Sequence, residues 1–339
     1  MRILMFGRGV VATIYGLALS AAGHDVEFYV RPGRAAEYGD EVQLDWTDGR
    51  RKPFGRRVRE TFGTRLRESL DPSDGFDLVV LSVGHHRLAE AAAFLAPRIG
   101  DATVLVFGNI WEEPLAAVAP LPATQVVFGF PQAGGGFGAD GVLRGAMLSS
   151  VIIGATDAAG TAGAAGATGV IQTADSAPTP TPREQAVHAA FRQAGIAIRQ
   201  EKDMRGWLWL HFISDAGMFS QALRSGSMAA MVGDRRAFRE AFLTARELLP
   251  LLKARGVDLS RHRSAALPVR RPGLFAAMSG LATALVPMAR RSLEAHTDPN
   301  APEARAVLDD TLREARRLGI PAPRLEAVWP AERPTPTAS

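Results

Sequence analysis

The chain has 339 residues, 47% of them hydrophobic, with 39 basic and 35 acidic side chains for a formal net charge of +4. That length holds two domains, each able to bury its own core. The absence of cysteine excludes a disulfide framework and a thiolate metal site, and a basic surplus this small, with no aromatics interleaved among the arginines, points away from nucleic acid.

Residues 2–6 read as an apolar strand, Gly7-Arg8-Gly9-Val10-Val11-Ala12 as a glycine turn entering a helix, and residues 25–30 as a second strand ending at Arg31. This order suits a dinucleotide pyrophosphate. Gly7 permits the tight turn, and Gly9 lets the backbone approach the phosphates. Val10 and Val11 open the helix whose positive end receives the anion, and Ala12 is small enough for helix and strand to pack closely. The alternative is an ordinary tight turn between strand and helix. The residue after the second strand selects the dinucleotide: an acid there would accept from a ribose 2′-hydroxyl, whereas Arg31, with Arg34 just beyond, suits the 2′-phosphate of NADP(H). Arg31 as a plain surface charge is the competing reading. Residues 1–22 look superficially like a signal peptide, but Arg8 and the interrupting glycines fit strand, turn and helix better; a cytoplasmic protein is expected.

The densest arginine run, residues 50–59, is expected as a solvated loop near the cofactor phosphates, with short strands around 42–46 and 52–61. Residues 76–83 and 103–107 are near-continuous apolar runs, as in strands buried on both faces. A helix at 86–95 separates them, and a further strand at 125–130 is followed by a glycine-rich loop at 133–138. Strands alternating with helices predict a doubly wound α/β sheet, whose ligand crevice lies beyond the carboxyl ends of its strands. That places Ser82 and Asn109 among the candidates for cofactor contact. His85 and His86 have no third ligand at metal-like spacing and read as a helix start or surface pair, with cofactor contact the alternative because they follow a buried strand; no metal is expected.

Residues 158–181, almost all small and polar, predict a flexible connection; a helix at 181–195 and a short strand at 196–199 follow. From 202 to 318 the pattern is helical. The uncharged stretch 273–288 is too short to span a bilayer comfortably and reads as a buried helix, a pocket wall, or a surface packed on a partner subunit. The expected organisation is therefore an N-terminal Rossmann-type domain (1–200), a C-terminal all-α domain for substrate or dimerisation (201–328), and a disordered tail (329–339).

The helical half begins with Asp203-Met204-Arg205 and Trp209, followed by His211 and Asp215. In this frame the chain resembles the ketopantoate reductase family of the 6-phosphogluconate-dehydrogenase-like superfamily, which joins its two domains through an Asp-Ile-Arg-x-x-x-Trp-x-Lys-Leu-x-x-Asn segment. The resemblance extends to the glycine turn, the basic residue after strand two, the strand-end Asn109, and Gly319-Ile320 with Pro323 near the end. It implies an NADPH-dependent reductase of a small oxo-acid or related carbonyl. It also implies that Asn109 bridges cofactor and substrate and that Glu303 bonds a substrate hydroxyl. Arg291 or Ser292 would hold a carboxylate, with His296 and Asp298 near the same pocket.

The family's general-acid lysine corresponds here to His211, and its asparagine to Asp215. Lys202, nine residues before His211, would face away and lie far along the helix axis. Spaced i,i+4, His211 and Asp215 share a helix face; a carboxylate beside an imidazole favours the imidazolium, a competent proton donor. The competing reading of His211 is a helix histidine without chemistry, and that of Glu303 is an acid favoured by the first-turn dipole alone. Two further functions stay open: an opine-type or imine reductase, and an NADP-binding sensor with little catalysis.

Overall fold

Apolar runs that hide both faces become the middle of a parallel sheet, and their order sets where a ligand can bind. The computed structural model describes residues 1–51, 54–154, 156, 180–294 and 301–329. The chain divides into two units, Met1–Leu208 and Trp209–Ser339. The division falls inside a long helix; the change of composition near residue 200 marks instead the end of the last strand.

The strands of the first unit are β1 (Arg2–Phe6), β2 (Asp25–Tyr29), β3 (Glu41–Asp48), β4 (Arg56–Gly63), β5 (Leu66–Arg67), β6 (Leu78–Ser82), β7 (Thr103–Phe107), β8 (Val126–Phe130), β9 (Ala133–Phe137), β10 (Leu143–Met147), β11 (Ser150–Gly154) and β12 (Ala197–Glu201). Its helices are α1 (Val10–Ala21), α2 (Ala35–Tyr38), α3 (Leu88–Leu95), α4 (Pro114–Ala117) and α5 (Pro182–Gln193). Eight strands form one sheet in the order β12-β11-β8-β7-β6-β1-β2-β5, parallel except between β11 and β8. The run β5-β2-β1-β6-β7-β8 is the doubly wound dinucleotide-binding order, with its reversal between β1 and β6. The fold is thus α/β with a Rossmann-type sheet, as the alternation of strands and helices predicts.

A second sheet, β4-β3-β10-β9, corrects three sequence expectations. The arginine run is not all loop: Arg56–Gly63 is β4, antiparallel to β3 with Asp45 opposite Arg59. Asp45 draws Arg57 (Nε to Oδ1, 2.7 Å) and Arg59 (3.2 Å) into ion pairs, so these cations are paired across the strands. The strands predicted near 42–46 and 52–61 therefore pair with each other, outside the parallel sheet. The glycine-rich loop at 133–138 is instead β9, antiparallel to β10. Glycine is a poor strand former, but here its bareness is needed: a Cβ on Gly145 would stand 2.4 Å from Gly134 O, and one on Gly135 would meet Val10 of α1 at 2.9 Å. The expected flexible segment falls almost wholly in residues 157–179, outside the described residues, as do residues 330–339 of the predicted tail and His296 and Asp298.

The second unit follows α6 (Met204–Ser225) with α7 (Arg235–Glu247), α8 (Leu249–Ala254), α9 (Leu267–Arg270), α10 (Pro272–Leu285), α11 (Pro287–Glu294), α12 (Pro302–Arg317) and α13 (Pro323–Glu326). Asp203 starts α6 by accepting from Gly206 N at 2.9 Å, which leaves Lys202 before the helix rather than on a far face of it. Close backbone approach fixes α6 on α7, where a Cβ on Gly217 would stand 2.3 Å from Ala241 O. The apolar stretch 273–288 is not a buried helix. Its Ala276, Gly280 and Thr283 face inward, but Leu274, Met278, Leu281 and Leu285 are between 53% and 71% exposed. No single helix among the described residues is long and apolar enough to cross a membrane; only α10 with α11 passes as a pair, bent by 96°.

Candidate active site

The glycine turn sits where β1 ends, beside the point at which the strand order reverses. Gly7 has φ +97°, a region that favours glycine, and donates its amide to Tyr29 O at 2.9 Å. Gly9 precedes α1 in extended conformation, and no atom lies within 4 Å of where a Cβ would stand on either glycine. No side chain caps α1 and no acid occupies its first turn. The opening amides of a helix lack intrahelical acceptors, so those of Val10, Val11 and Ala12 offer donors at the positive end of the dipole. Ala12 is buried as expected of its small size, yet the tightest helix-to-sheet approach is at Gly16, where a Cβ would stand 2.5 Å from the Phe28 ring.

Arg31 is exposed, one residue beyond the buried Val30, and among the described residues it makes no ion pair. Arg34 is engaged differently: its Nε lies 3.0 Å from Glu37 and its guanidinium 5.3 Å from the Tyr38 ring. Arg8, inside the glycine turn, shares that ring at 5.1 Å and donates from Nη2 to Glu41 O at 2.8 Å. Burial holds the Arg8 guanidinium below its usual range. The sequence reading missed this cluster, because nothing in the spacing of Arg8, Arg34 and Tyr38 announces that they meet. Ser82 ends β6 opposite Phe107, and the buried Asn109 follows β7 after Gly108. His85 and His86 stand on a single turn, His85–Arg87, with rings edge to face at 5.9 Å.

In the second unit, α6 is buried along most of its length, and His211, Ser214, Asp215 and Met218 form its more open stripe. His211 Nε2 lies 3.4 Å from Asp215 Oδ2, with side chains 29% and 22% exposed. The helical spacing thus brings imidazole and carboxylate together with both still reachable. Trp209, buried beneath, has the Arg255 guanidinium 3.7 Å from its ring centroid, which fixes this turn of the helix. Glu303 lies in the first turn of α12, behind Pro302. Arg291 and Ser292 are neighbours on α11, Arg291 half-buried and Ser292 exposed; adjacent helical residues point about 100° apart, so the two do not share a face.

Residues 3–158 match the family model described as ketopantoate reductase PanE/ApbA. Over those residues the chain is similar to the ketopantoate reductase family. The family's fold recurs in solved structures. The 2-dehydropantoate 2-reductase of Geobacter metallireducens GS-15 has a TM-score of 0.62 at 17% identity, covering 97% of both chains. D-mandelate dehydrogenase, solved with NADH and anilino(oxo)acetate, has a TM-score of 0.62 at 13% identity, covering 97% of this chain and 96% of that one. A ketopantoate reductase from Staphylococcus aureus described as dimeric has a TM-score of 0.59 at 13% identity, covering 97% and 96%. At these identities the likeness is one of fold. No curated protein matches the sequence. The family and its structural neighbours are oxidoreductases.

Proposed function

We propose that the protein is an NADPH-dependent reductase of a small oxo-acid or related carbonyl, and that its two units divide the work. The carrying observation is the uncapped start of α1 behind two bare glycines, with an exposed guanidinium just past β2. These groups fit a dinucleotide carrying a 2′-phosphate: amides at a helix N-terminus for the pyrophosphate and Arg31 for the extra charge. Ser82 and Asn109, after β6 and β7, would complete the cofactor contacts. NADPH supplies hydride when bound. In the helical unit, His211 holds the proton that the new hydroxyl needs and Asp215 orients its ring. Glu303 and either Arg291 or Ser292 bind polar groups of the substrate, Asn109 its carbonyl oxygen.

The test is NADPH consumption with a panel of 2-oxo acids, repeated with His211→Ala. Removing a general acid costs about 10²–10⁴-fold in turnover, and NADPH affinity is expected to stay. Unchanged turnover would remove His211 from the chemistry. The 3.4 Å His–Asp contact in place of the family's lysine favours a second reading, reduction of an imine; consumption only when an amine accompanies the oxo-acid would select it. The exposed α10 stripe and the dimeric Staphylococcus aureus relative support a homodimer, which light scattering would test.

A further inference from the structure

The loop after β2 is closed on a carboxylate from another part of the chain. In Arg31-Pro32-Gly33-Arg34, proline stands second and a glycine with φ +81° third, and Arg34 N donates to Arg31 O at 3.0 Å. These are the residues and the hydrogen bond of a type II turn. β5 pairs with β2, Tyr29 opposite Arg67, and Val30 N donates to Arg67 O at 2.9 Å. The next residue, Glu68, is thereby delivered to the turn. Its Oε1 accepts from Ala35 N at 2.8 Å, and this bond, with the backbone amides of Gly33 and Arg34 nearby, holds the carboxyl below its usual range. A left-handed residue followed by a right-handed one converges successive amides into an anion nest.

The nest is therefore filled from within, so an arriving phosphate meets side chains there rather than backbone. Arg34 is meanwhile drawn to Glu37 and Tyr38. We infer that Glu68 is a positioning residue for recognition of the cofactor's 2′-phosphate: it locks the 31–34 turn so that Arg31 presents the phosphate-binding guanidinium. The inference rests on the NADPH reading above.

Dissociation constants for NADPH and NADH test it, measured by calorimetry on the wild type, Glu68→Ala, Glu68→Gln, Arg31→Ala and the Glu68→Ala/Arg31→Ala double variant. Loss of hydrogen bonds to a charged group predicts about a tenfold weaker NADPH complex for Glu68→Ala, with NADH little changed. Glu68→Gln, whose amide oxygen still accepts an N–H, should recover most of the loss. In the Arg31→Ala background, Glu68→Ala should cost nothing more. Equal weakening of both nucleotides, an additive double variant, or tighter NADPH binding by Glu68→Ala would each overturn the inference alone. A wild type with no preference for NADPH would overturn the underlying reading, and this inference with it.

Discussion

Two helices of the first unit have the same length and opposite beginnings. α5 starts with a full capping box, Thr181 accepting from Glu184 N while Glu184 accepts from Thr181 N, with Pro182 in its first turn. α1 starts bare at Gly9. α7 is again capped, by Asp234, and Asp203 serves α6 in the same way. Bare starts recur at α3, α10 and α12, so what marks α1 is the combination of uncapped amides with two open glycines at the end of β1, where a ligand is a natural acceptor. The contrast separates stability from binding, and each can be disturbed without the other.

The largest expected effect comes from giving α1 the cap it lacks. Gly9→Asp has room for its side chain and an extended backbone that aspartate adopts. Such a residue is a favourable N-cap, so the melting temperature should hold or rise slightly. A carboxylate facing the pyrophosphate, however, should cost on the order of 100-fold in NADPH affinity, since like charges juxtaposed cost several kcal/mol. Retained affinity would show that the bare amides serve no ligand. The converse change, Thr181→Ala, should destabilise the first unit by about 1 kcal/mol in a denaturant titration and leave NADPH binding untouched.

A smaller effect is pH-dependent and belongs to α5 itself. Burial lowers the pKa of His188 from its ordinary 6.5, and burial also lowers that of His24. An unfolded histidine then takes up its proton before the folded one. Their contribution is complete above about pH 6.5 and is lost as the pH falls toward the folded values. Melting temperatures should decline over that interval, and His188→Gln should flatten the decline. An unaltered slope would place the titration elsewhere.

The parallel sheet was legible because its strands are apolar on both faces, and the glycine turn because Gly7 needs a backbone region that few other residues enter. The second sheet was hidden for the opposite reason. β9 is Ala-Gly-Gly-Gly-Phe, whose strand character comes from neighbours more than a turn away in sequence, at Gly145 and Val10. Exposure was equally illegible in α10, since an uncharged stretch reads the same whether buried or bare. The His211–Asp215 contact could be anticipated from helical spacing. The clamp by Glu68 could not: Arg-Pro-Gly-Arg announces the turn, but only the pairing of β5 with β2 brings the carboxylate to it.

Calorimetric titration of the wild-type protein with NADPH and with NADH tests the central claim most directly. The account predicts that NADPH binds more tightly, and that Arg31→Ala abolishes the difference while keeping the weaker affinity for NADH. Equal affinities in the wild type, or no binding of either nucleotide, would contradict it.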